Sequence, residues 1–127
     1  MKIAKYLGAF MVVLKLLVKL LQWSVIKIDI NLPGSPLLWA KLGQAREDKK
    51  ITSSEIIALI EEVEKETPDW ADKALDILIW VIGFVKPIDW DLTGKYGVFW
   101  DSVFQKMEDD HLTGKEIGDI LETVLNW

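Results

Sequence analysis

The 127-residue chain predicts an all-α fold of about six helices, arranged as two tandem, pseudo-symmetric three-helix units in one compact bundle. Three observations lead there. Apolar stripes at helical spacing recur behind N-capping residues. The chain also nearly repeats itself: residues 28–34, IDINLPG, return as IDWDLTG at 88–94. After a slip of one residue, nine of the 25 positions in 39–63 are identical in 100–124, where chance gives roughly two. Finally, half the residues are apolar and seven are Trp, enough for one self-sufficient core without disulfides. The expected organisation is a single domain, 1–127, with internal repeats at about 11–66 and 67–127.

The elements follow in order. Residues 3–26 read as one long helix. At 100° per residue, Lys5, Lys15, Lys19, Gln22 and Lys27 share one side, while Leu7, Phe10, Leu14, Leu17, Val18 and Leu21 share the other. Lysines at mid-length make a bilayer span expensive and favour an interfacial or core-packed helix. The apolar run is broken by Lys15 and no small-residue cleavage site follows, so a signal peptide is not expected either. Pro33 and Gly34 end the next loop, and Ser35 is placed to cap a helix whose first residue is Pro36. That helix reaches about Arg46.

Thr52-Ser53-Ser54-Glu55 has capping-box spacing, and Ile56, Leu59, Ile60 and Val63 behind it form an i, i+3, i+4, i+7 stripe. Thr67-Pro68 opens the second unit. Residues 74–85 hold only Asp76 as an ionisable group and read as a central core helix, stopped at Lys86-Pro87. A helix over about 95–108 follows. Thr113-Gly114-Lys115-Glu116 then repeats the capping box, and Ile117, Ile120, Leu121 and Val124 repeat the stripe. Aligning the two first helices brings Lys19 opposite Asp76, and a contact between them is an expectation.

Charge excludes one class of partner. Residues 1–28 carry five lysines and no acid, whereas 29–127 carry ten basic and twenty acidic residues. An acidic body lacks the basic footprint that nucleic acid requires. The cationic, apolar N-terminal helix suits an anionic lipid surface or an acidic protein surface instead.

Candidate chemistry is sparse. With no Cys and one His, thiolate and imidazole sites are disfavoured. Asp89, Asp91 and Thr93 fall at ligand positions one, three and five of a loop with Gly94 at six, and this resembles the first half of an EF-hand calcium loop. The resemblance ends there, because Trp100 stands where the bidentate Glu belongs. The ends of such loops are matched separately, by Ile51 with Glu55 and by Leu112 with Glu116, without upstream ligands. Helix capping by Asp and Thr accounts for the same residues without metal. His111 beside Asp109 and Asp110, and the pair Glu61/Glu62, do not converge as acid–base catalysts need to. No phosphate loop, nucleophile elbow or zinc-protease helix is present. No cofactor and no enzymatic activity are expected.

Trp39 and Trp100 occupy matching positions and read as paired core anchors. Trp70, Trp90 and Trp127 lie near helix ends or in loops, where partly exposed rings suit contact with protein or lipid. The resulting expectation is a non-enzymatic structural or assembly protein that oligomerises, of the kind suited to a virion or membrane-associated component. Its docking or membrane contact is Lys5, Lys15, Lys19, Trp23 and Lys27 on the first helix, and its partners are other copies or other subunits. Two alternatives stand beside it: a peripheral membrane-binding protein and a degenerate EF-hand-like calcium module. Cytoplasm, membrane surface and virion all fit these readings.

Overall fold

The structure is a computed structural model that describes the backbone of residues 2–109 and 111–126 and the side chains of 8–108 and 111–126. Among the described residues it is mostly helical, with six α-helices and four three-residue strands. The order is α1 (Lys2–Gln22), β1 (Asp29–Asn31), α2 (Pro36–Asp48), β2 (Lys50–Thr52), α3 (Ser53–Glu64), α4 (Asp69–Trp80), a π-helical turn (Val81–Val85), β3 (Asp89–Asp91), α5 (Gly97–Lys106), a 3-10 turn (Met107–Asp109), β4 (His111–Thr113) and α6 (Gly114–Leu125).

The strands correct the purely helical expectation. Each lies in a segment read from sequence as a loop or a cap, and each has the inward–outward alternation of a half-buried strand. Both pairings are antiparallel and both join a strand from 11–66 to one from 67–127. In β1–β4, Ile30 sits opposite Leu112; in β2–β3, Ile51 sits opposite Trp90. All four of these central residues are buried. Trp90, expected as a partly exposed loop ring, is therefore a core residue. It stacks on Tyr96 with ring centroids 4.4 Å apart.

Helix packing crosses the halves in part, while α2 and α3 of the first half also lie on each other. α1 lies most closely on α6, and α3 lies on α4 and the π-helical turn. α1 buries Leu14, Leu17, Val18 and Leu21, the apolar side expected from its periodicity, toward the core it shares with α6 and α4. The close approach depends on Gly114 and Gly118, one turn apart on α6. A Cβ at Gly118 would lie 2.9 Å from Gln22 Cγ and 3.2 Å from the Val18 carbonyl oxygen. Gln22 then donates from Nε2 to Asp119 Oδ1 at 2.9 Å and to Glu122 Oε2 at 3.0 Å.

At the matching place on α3 stand Ser53 and Ile57, and the contact is polar. Ser53 Oγ donates to the Ile82 carbonyl at 3.2 Å and accepts the Ile88 N–H at 2.7 Å. With Ile82 held this way and Pro87 unable to extend the helix, the chain widens into the π turn and closes with Lys86 N–H to Val81 O, 2.7 Å.

The capping box at Thr113 forms: Glu116 Oε2 accepts the Thr113 N–H at 2.6 Å and the Thr113 hydroxyl. At Thr52 the hydroxyl meets the Glu55 carboxylate, while the strand lies alongside β3. Ser35 does not cap α2 with its side chain but reaches Glu62 Oε2 at 3.1 Å. The α4 cap falls on Pro68 rather than Thr67, whose hydroxyl turns to Asp72 at 2.8 Å.

Two further expectations are overturned. The helix at 74–85 is not buried all round: Trp80, Phe84 and Val85 are 47%, 81% and 56% exposed. Trp39 and Trp100 also differ, since Trp100 is fully buried and Trp39 is 42% exposed. Trp100 packs among Trp90, Phe99 and Phe104, its indole N–H without a partner among the described residues, so the ring's apolar contacts outweigh an orphaned donor.

Gly118→Val should force α1 away from α6 and lower the unfolding free energy by about 2–4 kcal/mol. Gly8→Ala, whose Cβ meets nothing within 4 Å, should leave stability unchanged or slightly raised. Urea unfolding followed by circular dichroism measures both, and equal effects would rule out the close-approach role of Gly118.

Candidate functional site

The half-matches to a calcium loop are neighbours in space, because Asp89 is paired with Thr52 across β3–β2 and Asp29 with Thr113 across β1–β4. Their oxygens are partly engaged within the chain itself. Asp89 and Asp91 lie on the exposed side of an extended strand. Asp91 Oδ1 accepts both the Thr93 hydroxyl at 2.6 Å and the Thr93 N–H at 2.9 Å, an Asx turn closed by Gly94 N–H to Asp91 O at 3.1 Å. These bonds, with nearby Lys50, hold the Asp91 carboxyl below its ordinary pKa. Glu55 and Glu116 are engaged by their capping threonines. Among the described residues, no three His, Asp or Glu side chains gather in metal-binding proximity.

His111 meets Asp29 instead, Nδ1 to Oδ1 at 2.9 Å, diagonally across β1–β4. This is an exposed clasp between the two strands. Asp110 and the side chain of Asp109 lie outside the described residues.

The docking residues lie on α1 and on the turn that follows it: Lys15 and Lys19 are helical, while Trp23 and Lys27 come after the helix ends at Gln22. The Lys5 side chain is outside the described residues; Lys15, Lys19, Trp23 and Lys27 are all exposed, Trp23 by 67%. Lys15 and Lys19 line a cleft of about 290 Å³ with Glu122, Leu125 and Asn126 at the end of α6. Lys19 therefore faces the α6 side, and it does not pair with Asp76. Sequence periodicity missed what stands between the lysines: Val12 and Leu16 are 69% and 52% exposed. With Trp23 in the turn that closes the helix, they form an apolar line at spacings of four and seven on the solvent side. The signal was available in those spacings, but a wider apolar stripe on the opposite side dominated it.

Asp76 turns to Glu64. Burial, a hydrogen bond with Asp76 and the charges of Asp76, Asp72 and Glu61 raise the Glu64 pKa to about 7. Two carboxylates can share a hydrogen bond only when one keeps its proton. The Glu64 Oε1 atom is sealed from solvent, and no N–H or O–H of the described protein reaches it. The pair ties the end of α3 to α4 and converges on no ligand.

No helix among the described residues is long and apolar enough to cross a membrane. No family model, no curated protein and no solved structure matches the chain.

The Glu64 pair makes stability depend on pH. Its folded-state pKa lies above the unfolded value of 4.5, so the folded protein holds the extra proton and stability falls as pH rises from about 4.5 to about 7. Glu64→Gln supplies an N–H donor at every pH. Scanning calorimetry should find its Tm near that of the parent at pH 5 and about 4 °C higher at pH 8. A constant Tm difference across this window would rule out the shared proton.

Proposed function

We propose that the protein works by contact rather than by catalysis, as a structural or assembly subunit that oligomerises through α1. One observation carries the reading: the solvent side of α1 and the turn after it present Val12, Leu16 and Trp23 beside Lys15 and Lys19, all exposed among the described residues. Apolar side chains held on a long helix in a line flanked by cations are suited to a surface that is apolar at its centre and acidic at its edge.

Such a surface exists on the same molecule. At the α3–α4 corner, Glu61, Glu66 and Asp69 are exposed, with Trp70 46% exposed beside them. A cationic patch meeting an acidic patch elsewhere on the next copy gives a head-to-tail contact, which propagates unless its rotation closes a ring. The +5 balance of residues 1–28 against −10 for 29–127 supplies the attraction (5 − 0 and 10 − 20). In this reading the two near-repeats are a duplicated helix–strand building unit. The basic helix of the first copy forms the plug, and the acidic junction between the two copies forms the socket. A virion or other large assembly is the setting such a subunit suits.

The same line of residues favours one second reading. An amphipathic helix with lysines flanking Trp and aliphatic side chains also lies well in an anionic membrane surface.

Light scattering from about 10 µM to 1 mM separates the readings, since a contact at this interface of modest size falls in that affinity range. Concentration-dependent association that weakens in high salt is expected, and Lys15→Glu/Lys19→Glu should shift it toward monomer by about tenfold in concentration. A monomer throughout, in low and high salt, sinks the assembly reading. Flotation of that monomer with anionic but not neutral vesicles would then establish the membrane one.

A further inference from the structure

Between α2 and α5 the surface opens into a cleft of about 220 Å³. Trp39, Leu42, Gly43 and Arg46 of α2 form one wall; Phe104 of α5, with Met107 and Glu108 of the 3-10 turn, forms the other. The matching positions explain why it exists. Position 43 corresponds to 104, where Phe104 packs on Trp100 with centroids 5.8 Å apart. Glycine at 43 gives Trp39 no such cover, and its ring is 42% exposed where that of Trp100 is buried.

The fold does not require this glycine. A Cβ at Gly43 would meet nothing within 4 Å, yet a glycine inside a helix costs about 1 kcal/mol relative to alanine. Its effect is to leave a ring-sized slot open beside an indole. The floor is apolar, since Leu42, Phe104 and Met107 are all at least nine-tenths buried. The lips carry one charge of each sign, Arg46 and Glu108, both exposed. They lie more than 4.0 Å apart, and neither makes an ion pair among the described residues. A cavity of about 150 Å³ holds a benzene ring, and drug-sized ligands need about 300 Å³ or more. The cleft falls between the two, the size of a single aromatic group with a small polar head.

We propose that this cleft binds a free aromatic amino acid as its zwitterion. The ring lies against Trp39 and Phe104 over the Met107 thioether, a setting that favours stacking and sulfur–aromatic contact. The carboxylate lies toward the Arg46 guanidinium, whose paired N–H groups suit its two oxygens, and the ammonium lies toward Glu108. The site is independent of the α1 surface and of any assembly through it.

Calorimetry on the full chain with L-tryptophan, tryptamine and indole-3-propionate tests each half of the ligand, and NMR of the Gly43 and Arg46 amides locates it. Tryptophan should bind with a Kd of about 1 mM or tighter, and about tenfold more tightly than either analogue lacking one charge. Arg46→Met should erase its advantage over tryptamine, and Glu108→Gln its advantage over indole-3-propionate. Gly43→Phe should abolish binding of all three by filling the slot, with Gly43→Leu as a smaller filler and thermal melts showing that both remain folded. The proposal is overturned by no heat and no amide shift at about 10 mM. Equal affinity for the three ligands, or unchanged binding in the folded Gly43 variants, would overturn it as well.

Discussion

Everything in this fold hangs on strands that are too short to exist alone. Three residues make at most a few ladder bonds, and an isolated pair of that length is not stable in water. Each strand gains its stability because its single inward side chain, Ile30, Ile51, Trp90 or Leu112, enters a core already lined by helices. The partner always comes from the other half of the chain. β1 and β4 thereby bring the end of α1 to the start of α6, and β2 and β3 bring the end of the π turn to the start of α3. The halves are interlocked rather than stacked, so neither can complete its strands or cover its helices without the other. Closing β1 onto β4 also spans most of the chain, which places that contact late and makes folding depend on non-local pairing.

The two sides of this arrangement are held by different physics. α1 and α6 approach so closely at Gly114 and Gly118 that backbone meets side chain directly, and the Gln22 amide then bridges to Asp119 and Glu122. α3 meets the π-helical turn through a hydroxyl latch at Ser53 and meets α4 through a carboxyl pair at Glu64 and Asp76. On the second side, burial and the Asp76 contact raise the Glu64 pKa to about 7. The latch side also carries the widened turn that leaves Phe84 and Val85 in solvent.

Local signals in the chain were largely legible. The capping box at Thr113, Pro36, the stripe at Ile56, Leu59, Ile60 and Val63 and its counterpart at Ile117, Ile120, Leu121 and Val124 all act over four to seven residues, so these helices could be placed without knowing their neighbours, whereas Thr52 and Thr67 make other contacts. The strands could not, because a three-residue alternation is indistinguishable from a turn until its partner is known. The residues of the incomplete calcium-loop pattern also make local contacts of their own. Asp91 and Thr93 form an Asx turn, while Glu55 and Glu116 finish helix starts on the strands alongside.

What the sequence determined by itself is a mostly helical chain built from near-repeated pieces, with a basic amphipathic helix leading an acidic body. Periodicity and capping are properties of consecutive residues, and they survive in any context. The tertiary structure alone decided which residues of equal hydrophobicity face water. Trp39 and Trp100 occupy matching positions, yet one is walled in by Phe104 and the other opens onto Gly43. Trp90 went inward because Ile51 stood across from it, and Phe84 went outward because Ser53 drew the Ile82 carbonyl toward α3. Exposure is set by what arrives from elsewhere in the chain, and the surfaces left open at α1 and beside Trp39 are consequences of that long-range packing.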